Sequence, residues 1–350
     1  MKRLLENSEY VEDVKRVASL ELPWEKLRGK TILITGGTGL IGSFLIDVLA
    51  AANFGCTVLL FGRSDEKARK RFAEYWDAGW IRFVKWDAAS ATLPKVEGAV
   101  DYVLHLASNT HPVAYATDPI GTIATNVIAL NNLLALATDK NASRFLFASS
   151  NEVYGENRGD TELFDEKYCG YIDCNTLRAG YPESKRCGEA LCQAYIKQKG
   201  LDCVIARLTR TYGPTILPTD TKAISQFFKN ALKGEDIVLK SEGRQHYSYQ
   251  YVSDSVSGLL FVLLKGMVGE AYNIADESGD ITLRDLAALI AEQAGRKVVF
   301  ELPDSIESAG FSKATKARLN GQRIKQIGWM PIYPIRRGVE RNYNQLKELL

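Results

Sequence analysis

The run Lys30-Thr31-Ile32-Leu33-Ile34-Thr35 passes directly into Gly36-Gly37-Thr38-Gly39-Leu40-Ile41-Gly42, and an apolar helical pattern follows through Phe44, Leu45, Val48 and Leu49. A buried strand, a glycine turn and a helix in this order admit few folds. The glycines at 36, 39 and 42 let the backbone approach a diphosphate, and the unpaired N–H groups at the helix amino terminus then hold it. Gly36, Thr38, Gly39, Leu40, Ile41 and Gly42 are therefore the expected cradle of a dinucleotide.

Further strand signals at Thr57–Phe61, Arg82–Asp87, Val100–Ala107 and Phe145–Ala148 alternate with helical patterns. The alternation predicts an α/β chain: a Rossmann-type, doubly wound parallel sheet whose ligands lie along the carboxyl edge of the strands. At the end of the second strand, an acidic residue would hold the adenosine ribose of NAD. Gly62 stands there, followed by Arg63 and Ser64, a pattern that favours the 2′-phosphate of NADP; in the other reading the cofactor is NAD and Arg63 covers its adenine. Asp87 and Ala88 should meet the adenine edge, and Leu106, Ala107 and Ser108 should flank the cofactor. Asn109 and His111 fall in a loop at the mouth of the site, where either side chain could touch substrate.

A net charge near +2, with one short basic cluster at Lys67, Arg69, Lys70 and Arg71, leaves no nucleic-acid footprint. The apolar runs read as too interrupted to span a bilayer, and the first residues turn acidic at Glu6, Glu9, Glu12 and Asp13, unlike a signal peptide. Six cysteines (56, 169, 174, 187, 192 and 203) form no C-x-x-C pair, and the three histidines have no metal-ligand spacing. Free thiols in a cytoplasmic protein, without a metal, are the expectation.

Residues 1–28 read as an amphipathic helix and lead-in docked on the surface, with Val11, Val14, Val17 and Ala18 on one stripe. Residues 29–206 and 247–275 should form the dinucleotide-binding domain. Residues 207–246 and 276–350 should form a smaller mixed α/β lobe, with Thr282 capping a helix that ends at Gly295. A substrate cleft between the two is expected.

Chemistry concentrates between Arg144 and Glu189. Phe145-Leu146-Phe147-Ala148 leads into Ser149-Ser150-Asn151-Glu152-Val153-Tyr154-Gly155, and the stretch closes on Tyr181-Pro182-Glu183-Ser184-Lys185. Tyr181 and Lys185, four apart, share one helix face. A free phenol titrates near about 10, too high for a base at neutral pH; a lysine one turn away should favour the phenolate.

Taken together, GGTGLIG, Ser-x-x-Val-Tyr-Gly, Tyr-x-x-x-Lys and Tyr-Gly-Pro at 212–214 closely resemble the extended short-chain dehydrogenase/reductase family, over roughly residues 29–340. The likeness is to its nucleotide-sugar epimerases, dehydratases and decarboxylases. It implies a tightly bound NAD or NADP that oxidises a nucleotide-linked sugar at C4 and is regenerated after a second step. It also implies Tyr181 as the base, assisted by Lys185, and Ser150 as the group aligning the sugar oxygen. A homodimer built from helices at about 115–138 and 181–199 is implied as well.

The second step turns on Asn151 and Glu152. Where this chain has Ser150-Asn151-Glu152, sugar 4,6-dehydratases resemble Thr-Asp-Glu, uronate decarboxylases resemble Thr-Ser-Glu, and 4-epimerases usually lack the Glu. An amide at 151 cannot supply the proton that expels a C6 hydroxyl as water. A 4-keto uronate is a β-keto acid and loses carbon dioxide without such an acid, so decarboxylation ranks above dehydration, with epimerisation or a simple sugar dehydrogenase as alternatives. In the decarboxylases a basic residue of the last lobe lies near the carboxylate; Lys313, Lys316 and Arg318 are candidates. Two departures stand out. Arg210 replaces the family's usual asparagine before Tyr-Gly-Pro, and Tyr247 replaces its usual pyrophosphate-binding arginine. Either Arg210 or Arg244 supplies the missing charge, or the substrate is not an ordinary nucleotide hexose.

Overall fold

The computed structural model describes residues 3–90, 92–110, 112–217, 219–301 and 315–349. Its strands are β1 (Thr31–Thr35), β2 (Thr57–Gly62), β3 (Ile81–Lys85), β4 (Tyr102–His105), β5 (Arg144–Ser150), β6 (Cys203–Leu208), β7 (Arg210–Tyr212), β8 (Ile237–Leu239), β9 (His246–Tyr251), β10 (Ala271–Ile274), β11 (Asp280–Thr282), β12 (Val298–Phe300) and β13 (Lys316–Ala317). Seven of them form one sheet in the order β10-β6-β5-β4-β1-β2-β3, with every neighbouring pair parallel. The strand order reverses between β1 and β4, which opens a crevice at their carboxyl ends.

The sheet is buried on both faces, so its strands are continuous apolar runs rather than alternating ones. Alternate residues serve two cores. Ile32 and Ile34 pack on one side with helices α1 (Ser8–Ala18), α2 (Leu40–Ala52) and, later in the chain, residues 252–265. Leu33, Phe145, Phe147 and Ile205 pack on the other side, against helices 119–139 and 180–199. The remaining α-helices among the described residues are, in order, α3 (Asp65–Arg71), α4 (Ala73–Trp76), α5 (Pro112–Thr117), α6 (Pro119–Asp139), α7 (Gly180–Lys199), α8 (Ala223–Lys233), α9 (Val252–Lys265), α10 (Leu283–Ala294), α11 (Gln322–Gln326) and α12 (Ile335–Leu349). The helix expected from 115 is two: the chain breaks at Asp118, whose side chain accepts from Gly121 N and caps α6, with Pro119 at the first turn. By length and composition α6 could cross a bilayer, contrary to the sequence expectation, yet 56% of its apolar window is buried within the protein.

The second layer of structure is smaller and mixed. β9 pairs with β11 antiparallel and with β7 and β13 in parallel, while β8 pairs with β12. Ile224, Phe227 and Phe228 of α8 and Leu286 and Ile290 of α10 fill its core. Thr282 caps α10 by accepting from Asp285 N, and Gly295 ends it in the left-handed conformation.

The amino-terminal helix is more than a surface attachment. Val14 and Val17 are buried as the apolar stripe requires, but Tyr10 and Asp13 are buried beside them and Val11 is not. The Tyr10 hydroxyl reaches Asp47 of α2, which also pairs with Arg71. Asp13 accepts from the hydroxyls of Tyr251 (2.8 Å) and Tyr333 (2.7 Å) and from the Gln345 amide (2.8 Å), and pairs with Arg341 at 2.8 Å. Apolar periodicity does not register such polar anchors, because the partners of Tyr10 lie 37 and 61 residues away and the hydrogen-bond donors to Asp13 lie 238 or more away.

Candidate active site

The turn after β1 is closed to side chains. Gly36 has φ +72°, and a Cβ there would stand 2.7 Å from Ala107 N; a Cβ at Gly42 would meet the backbone of Gly36 and Gly37. Only glycines allow this approach of loop, helix and neighbouring strand end. The surface it creates, bare backbone before the amino terminus of α2, fits a dinucleotide diphosphate. Thr38, Gly39, Leu40 and Ile41 complete the turn, and Leu40 is fixed from outside by Thr215, whose hydroxyl donates to Leu40 O at 2.7 Å.

The flanking strand ends carry the other expected cofactor residues. Arg63 is exposed just past β2, and Ser64 caps α3 by accepting from Lys67 N. Asp87 lies beyond β3 with Ala88, its carboxylate accepting from Ala89 N at 3.0 Å. After β4, Ala107 N donates to Thr35 Oγ1 (3.1 Å), and Thr35 lies 2.8 Å from His105 Nδ1. His105 Nε2 faces Thr125 O at 3.2 Å. That carbonyl can only accept, so Nε2 carries the proton and Nδ1 accepts from Thr35. Burial, helped by the Lys185 charge, lowers the His105 pKa to about 3 and keeps the ring neutral. Ser108 donates to Asn126 Oδ1 (2.9 Å), and Asn126 in turn donates to Ser184 of α7 (3.0 Å), joining the β4 edge to the tyrosine helix.

Tyr181, Lys185 and Ser150 converge at the ends of β5 and the start of α7, all buried. Lys185 extends its ammonium to Ala148 O (2.7 Å) and lies 5.8 Å from the Tyr181 ring centroid. Burial pulls its pKa from 10.5 to about 7, against the opposing charge of Glu189. Tyr181 behaves contrary to the sequence expectation. Burial and the Glu152 carboxylate push its pKa up, with a Ser150 hydrogen bond and Arg178 pulling the other way, and Lys185 is not the charge that offsets them. The cofactor-free chain thus holds Tyr181 as a phenol. In this state Lys185 binds fewer protons folded than unfolded between about 7 and 10.5, so stability should rise with pH across that window and fall as pH drops through 7. Melting temperatures of cofactor-free wild type and Lys185→Met check this. The wild type should gain on the variant from about pH 6.5 to 9; parallel curves would contradict it.

Glu152 has a partner that sequence reasoning missed. Arg178, three residues before Tyr181, donates from Nη2 to both Glu152 oxygens at 2.6 Å. Its guanidinium lies 4.6 Å over the Tyr115 ring, which packs 4.9 Å from the Tyr181 ring. Glu, Arg, Tyr115 and Tyr181 therefore form one continuous wall, and no local spacing marks Arg178 because its partner is 26 residues upstream. Arg178→Gln should cut kcat by about 10²-fold through loss of alignment, with a smaller change in KM; a fall confined to KM would show that Arg178 serves binding alone. Below the site, Glu189 accepts from Ser149 (2.5 Å) and from Arg207 (2.9 and 2.6 Å), tying α7 to β5 and β6.

A cleft opens beside this wall, lined by Asn151, Glu152, Arg178, Pro182, Arg210 and Ala317 among others. Arg210 reaches it, with its guanidinium 3.4 Å over the Tyr247 ring. Arg244 does not: it is exposed and paired with Glu242 at 2.7 Å, so it is no substitute for the missing arginine. Ala317 faces the cleft, which turns Lys316 and Arg318 to the other side of β13, where Arg318 meets Glu162 at 3.3 Å. Asn109 donates to Asp118 and Thr122 (3.2 Å each) and so braces α6 rather than lining the cleft. His111 and Lys313 lie outside the described residues. Among the described residues no cluster suits a metal ion.

This fold, with its glycine turn before α2, is that of a dinucleotide-dependent enzyme. Residues 32–275 match the model of the NAD dependent epimerase/dehydratase family, and the chain belongs to that family. It is 32% identical over 323 residues to UDP-glucuronic acid decarboxylase 1 of Xenopus tropicalis, covering 92% of this chain and 73% of that protein. It is 34% identical over 313 residues to UDP-glucuronic acid decarboxylase 3 of Arabidopsis thaliana, covering 88% and 86%. Among solved structures, dTDP-glucose 4,6-dehydratase of Streptomyces venezuelae with NAD bound superposes with a TM-score of 0.77 at 26% identity, covering 91% of this chain and 97% of that one.

Proposed function

We propose that this enzyme oxidises a nucleotide-linked uronate at C4 and releases its C6 carboxylate as carbon dioxide. The observation that carries the choice is the grip of Arg178 on both oxygens of Glu152, with an amide at Asn151 beside it. Dehydration needs a free base at C5 and an acid at C6, and this wall offers neither unoccupied. Decarboxylation of a 4-keto uronate requires only that the C4 carbonyl be held while the carbon–carbon bond breaks. The curated relatives, UDP-glucuronic acid decarboxylases, support the same reading.

When bound, the nicotinamide dinucleotide supplies the hydride acceptor and later returns the hydride. Tyr181 takes the C4 hydroxyl proton, and Ser150 donates to the same oxygen as it becomes a carbonyl. Lys185, anchored on Ala148 O, fixes the base of α7 beneath the tyrosine. Arg178 keeps Glu152 turned along the cleft, where its carboxylate can orient a sugar hydroxyl. A proton from solvent at C5, and return of the Tyr181 proton to the C4 oxygen, close the cycle.

Gly62, in place of a carboxylate at the end of β2, with the exposed Arg63 next to it, supports NADP over NAD, and competitive titration of the two decides it. Residues 207–246 and 276–350 would form the lobe that covers the sugar. Exposed Ile120 (82%), Ile128 (45%) and Leu177 (71%) beside α6 and α7 support a homodimer through that face; a monomer in sedimentation at micromolar concentration would contradict it. All six cysteines are unpaired, as suits a cytoplasmic enzyme, and recovery in a secreted fraction would contradict that. Incubation with a panel of nucleotide sugars tests the function itself. Loss of carbon dioxide from UDP-glucuronate supports it, whereas loss of water from a neutral hexose, or an unchanged mass with inverted C4, overturns it.

A further inference from the structure

Arg210 stands out in the cleft, where Nε of Arg178 is also an orphan donor but belongs to a guanidinium already paired with Glu152. Arg210 Nη1 is shut off from solvent and has no hydrogen-bond partner, and the residue forms no ion pair among the described residues. Of the carboxylates that line the cleft, Glu152 is already taken by Arg178, and neither Glu156 nor Asp173 pairs with Arg210. Leaving a charged donor dry and unpaired costs on the order of 1–3 kcal/mol. The position is nonetheless held firmly, because β7 pairs with β9 in a register that sets Arg210 opposite Tyr249. Tyr247 lies two residues away on the same face, and its ring carries the guanidinium at 3.4 Å. Ser248, on the other face, is engaged with Asp280. Stacking of this kind fixes the plane of an arginine and leaves its edge donors pointing outward, the geometry that grips a carboxylate or phosphate in bidentate fashion.

We propose that Arg210, braced on the ring of Tyr247, is the cleft's receptor for the substrate's anionic group, either a carboxylate on the sugar or the diphosphate beside it. The pair restores from β7 a charge that β9 lacks at Tyr247. Its place in the wall with Asn151, Glu152 and Arg178 puts the receptor within the same cleft as the reacting sugar. The inference rests on the proposed function for its substrate class.

Binding of UDP, UDP-glucose and UDP-glucuronate to cofactor-loaded wild type, Arg210→Gln and Arg210→Lys tests it, with exposed Arg244→Gln as the control. Arg210→Gln should weaken UDP-glucuronate at least 10-fold and up to about 150-fold, the range for a charged hydrogen bond. Arg210→Lys should recover only part of this, since a point charge lacks the fork. The melting temperature of Arg210→Gln should stay level or rise, because the buried orphan is gone. If all three ligands weaken alike, the diphosphate is the group held; if only UDP-glucuronate does, it is the carboxylate. Affinities unchanged within twofold, or a lower melting temperature with unchanged affinity, would make Arg210 a packing residue and overturn the proposal. Should wild type bind none of the three, the proposed function falls instead. Inorganic pyrophosphate followed by phosphorus NMR then decides on Arg210: loss of its binding in Arg210→Gln upholds the receptor, and no difference from wild type overturns it.

Discussion

Tyr181→Phe should lose about 10³-fold or more in kcat while still binding the nicotinamide dinucleotide. The substitution keeps the ring that packs 4.9 Å from Tyr115 and removes only the hydroxyl. The fold therefore stays, and what disappears is the group proposed to take the C4 proton. Ser150 cannot replace it, since its aliphatic hydroxyl ionises far less readily than a phenol. Burial and Glu152 push the Tyr181 pKa up, so the base form becomes more available as pH rises and the wild-type rate should climb with pH until another step limits. Steady-state rates of wild type and variant, together with cofactor affinity, check both points. Retained activity in Tyr181→Phe would remove the tyrosine from the chemistry.

Asp13→Ala should destabilise the protein by about 3–5 kcal/mol, the range for breaking a buried charge pair and leaving its partner uncompensated. Arg341, the hydroxyls of Tyr251 and Tyr333 and the amide of Gln345 all donate to this one carboxylate, and the substitution takes it from all four, leaving Arg341 with the exposed Glu12 (3.0 Å) and Glu9 O (2.9 Å) and the Tyr251 hydroxyl with Gln345 Oε1 (3.2 Å). The anchors come from β9, from the loop at Tyr333 and from the helix at residues 335–349, so the damage would not be confined to α1. Urea denaturation measures it. A loss below about 1 kcal/mol would mean that water or a neighbouring acid such as Glu12 takes over, and that α1 is an appendage after all.

Wherever local pattern decides structure, the sequence was legible. Ile32, Leu33 and Ile34 are apolar without alternation because both faces of β1 are covered, and Gly36 and Gly42 are required by contacts that any Cβ would block. Ser150, Tyr181 and Lys185 could be placed together because a strand end and a helical turn bring them there. Long-range pairing was not legible. Arg210 and Arg244 look equivalent in the chain, but the β7–β9 register sends one into the cleft and leaves the other in solvent with Glu242. Arg178 carries no motif, and its grip on Glu152 depends on how the loop from 155 to 179 folds back. The electrostatics of Lys185 likewise follow from burial: an ammonium drawn toward neutrality cannot hold Tyr181 as a phenolate by charge.

The central claim is a redox step followed by loss of carbon dioxide at one site. It is tested most directly by mixing the purified, cofactor-loaded enzyme with UDP-glucuronate in a single turnover and following carbon dioxide against the absorbance of reduced nicotinamide. The account predicts that reduced nicotinamide rises first, that one equivalent of carbon dioxide follows, and that the nicotinamide then returns to its oxidised form. Carbon dioxide without any reduced intermediate, or reduced nicotinamide that accumulates while the carboxylate stays on the sugar, would contradict it.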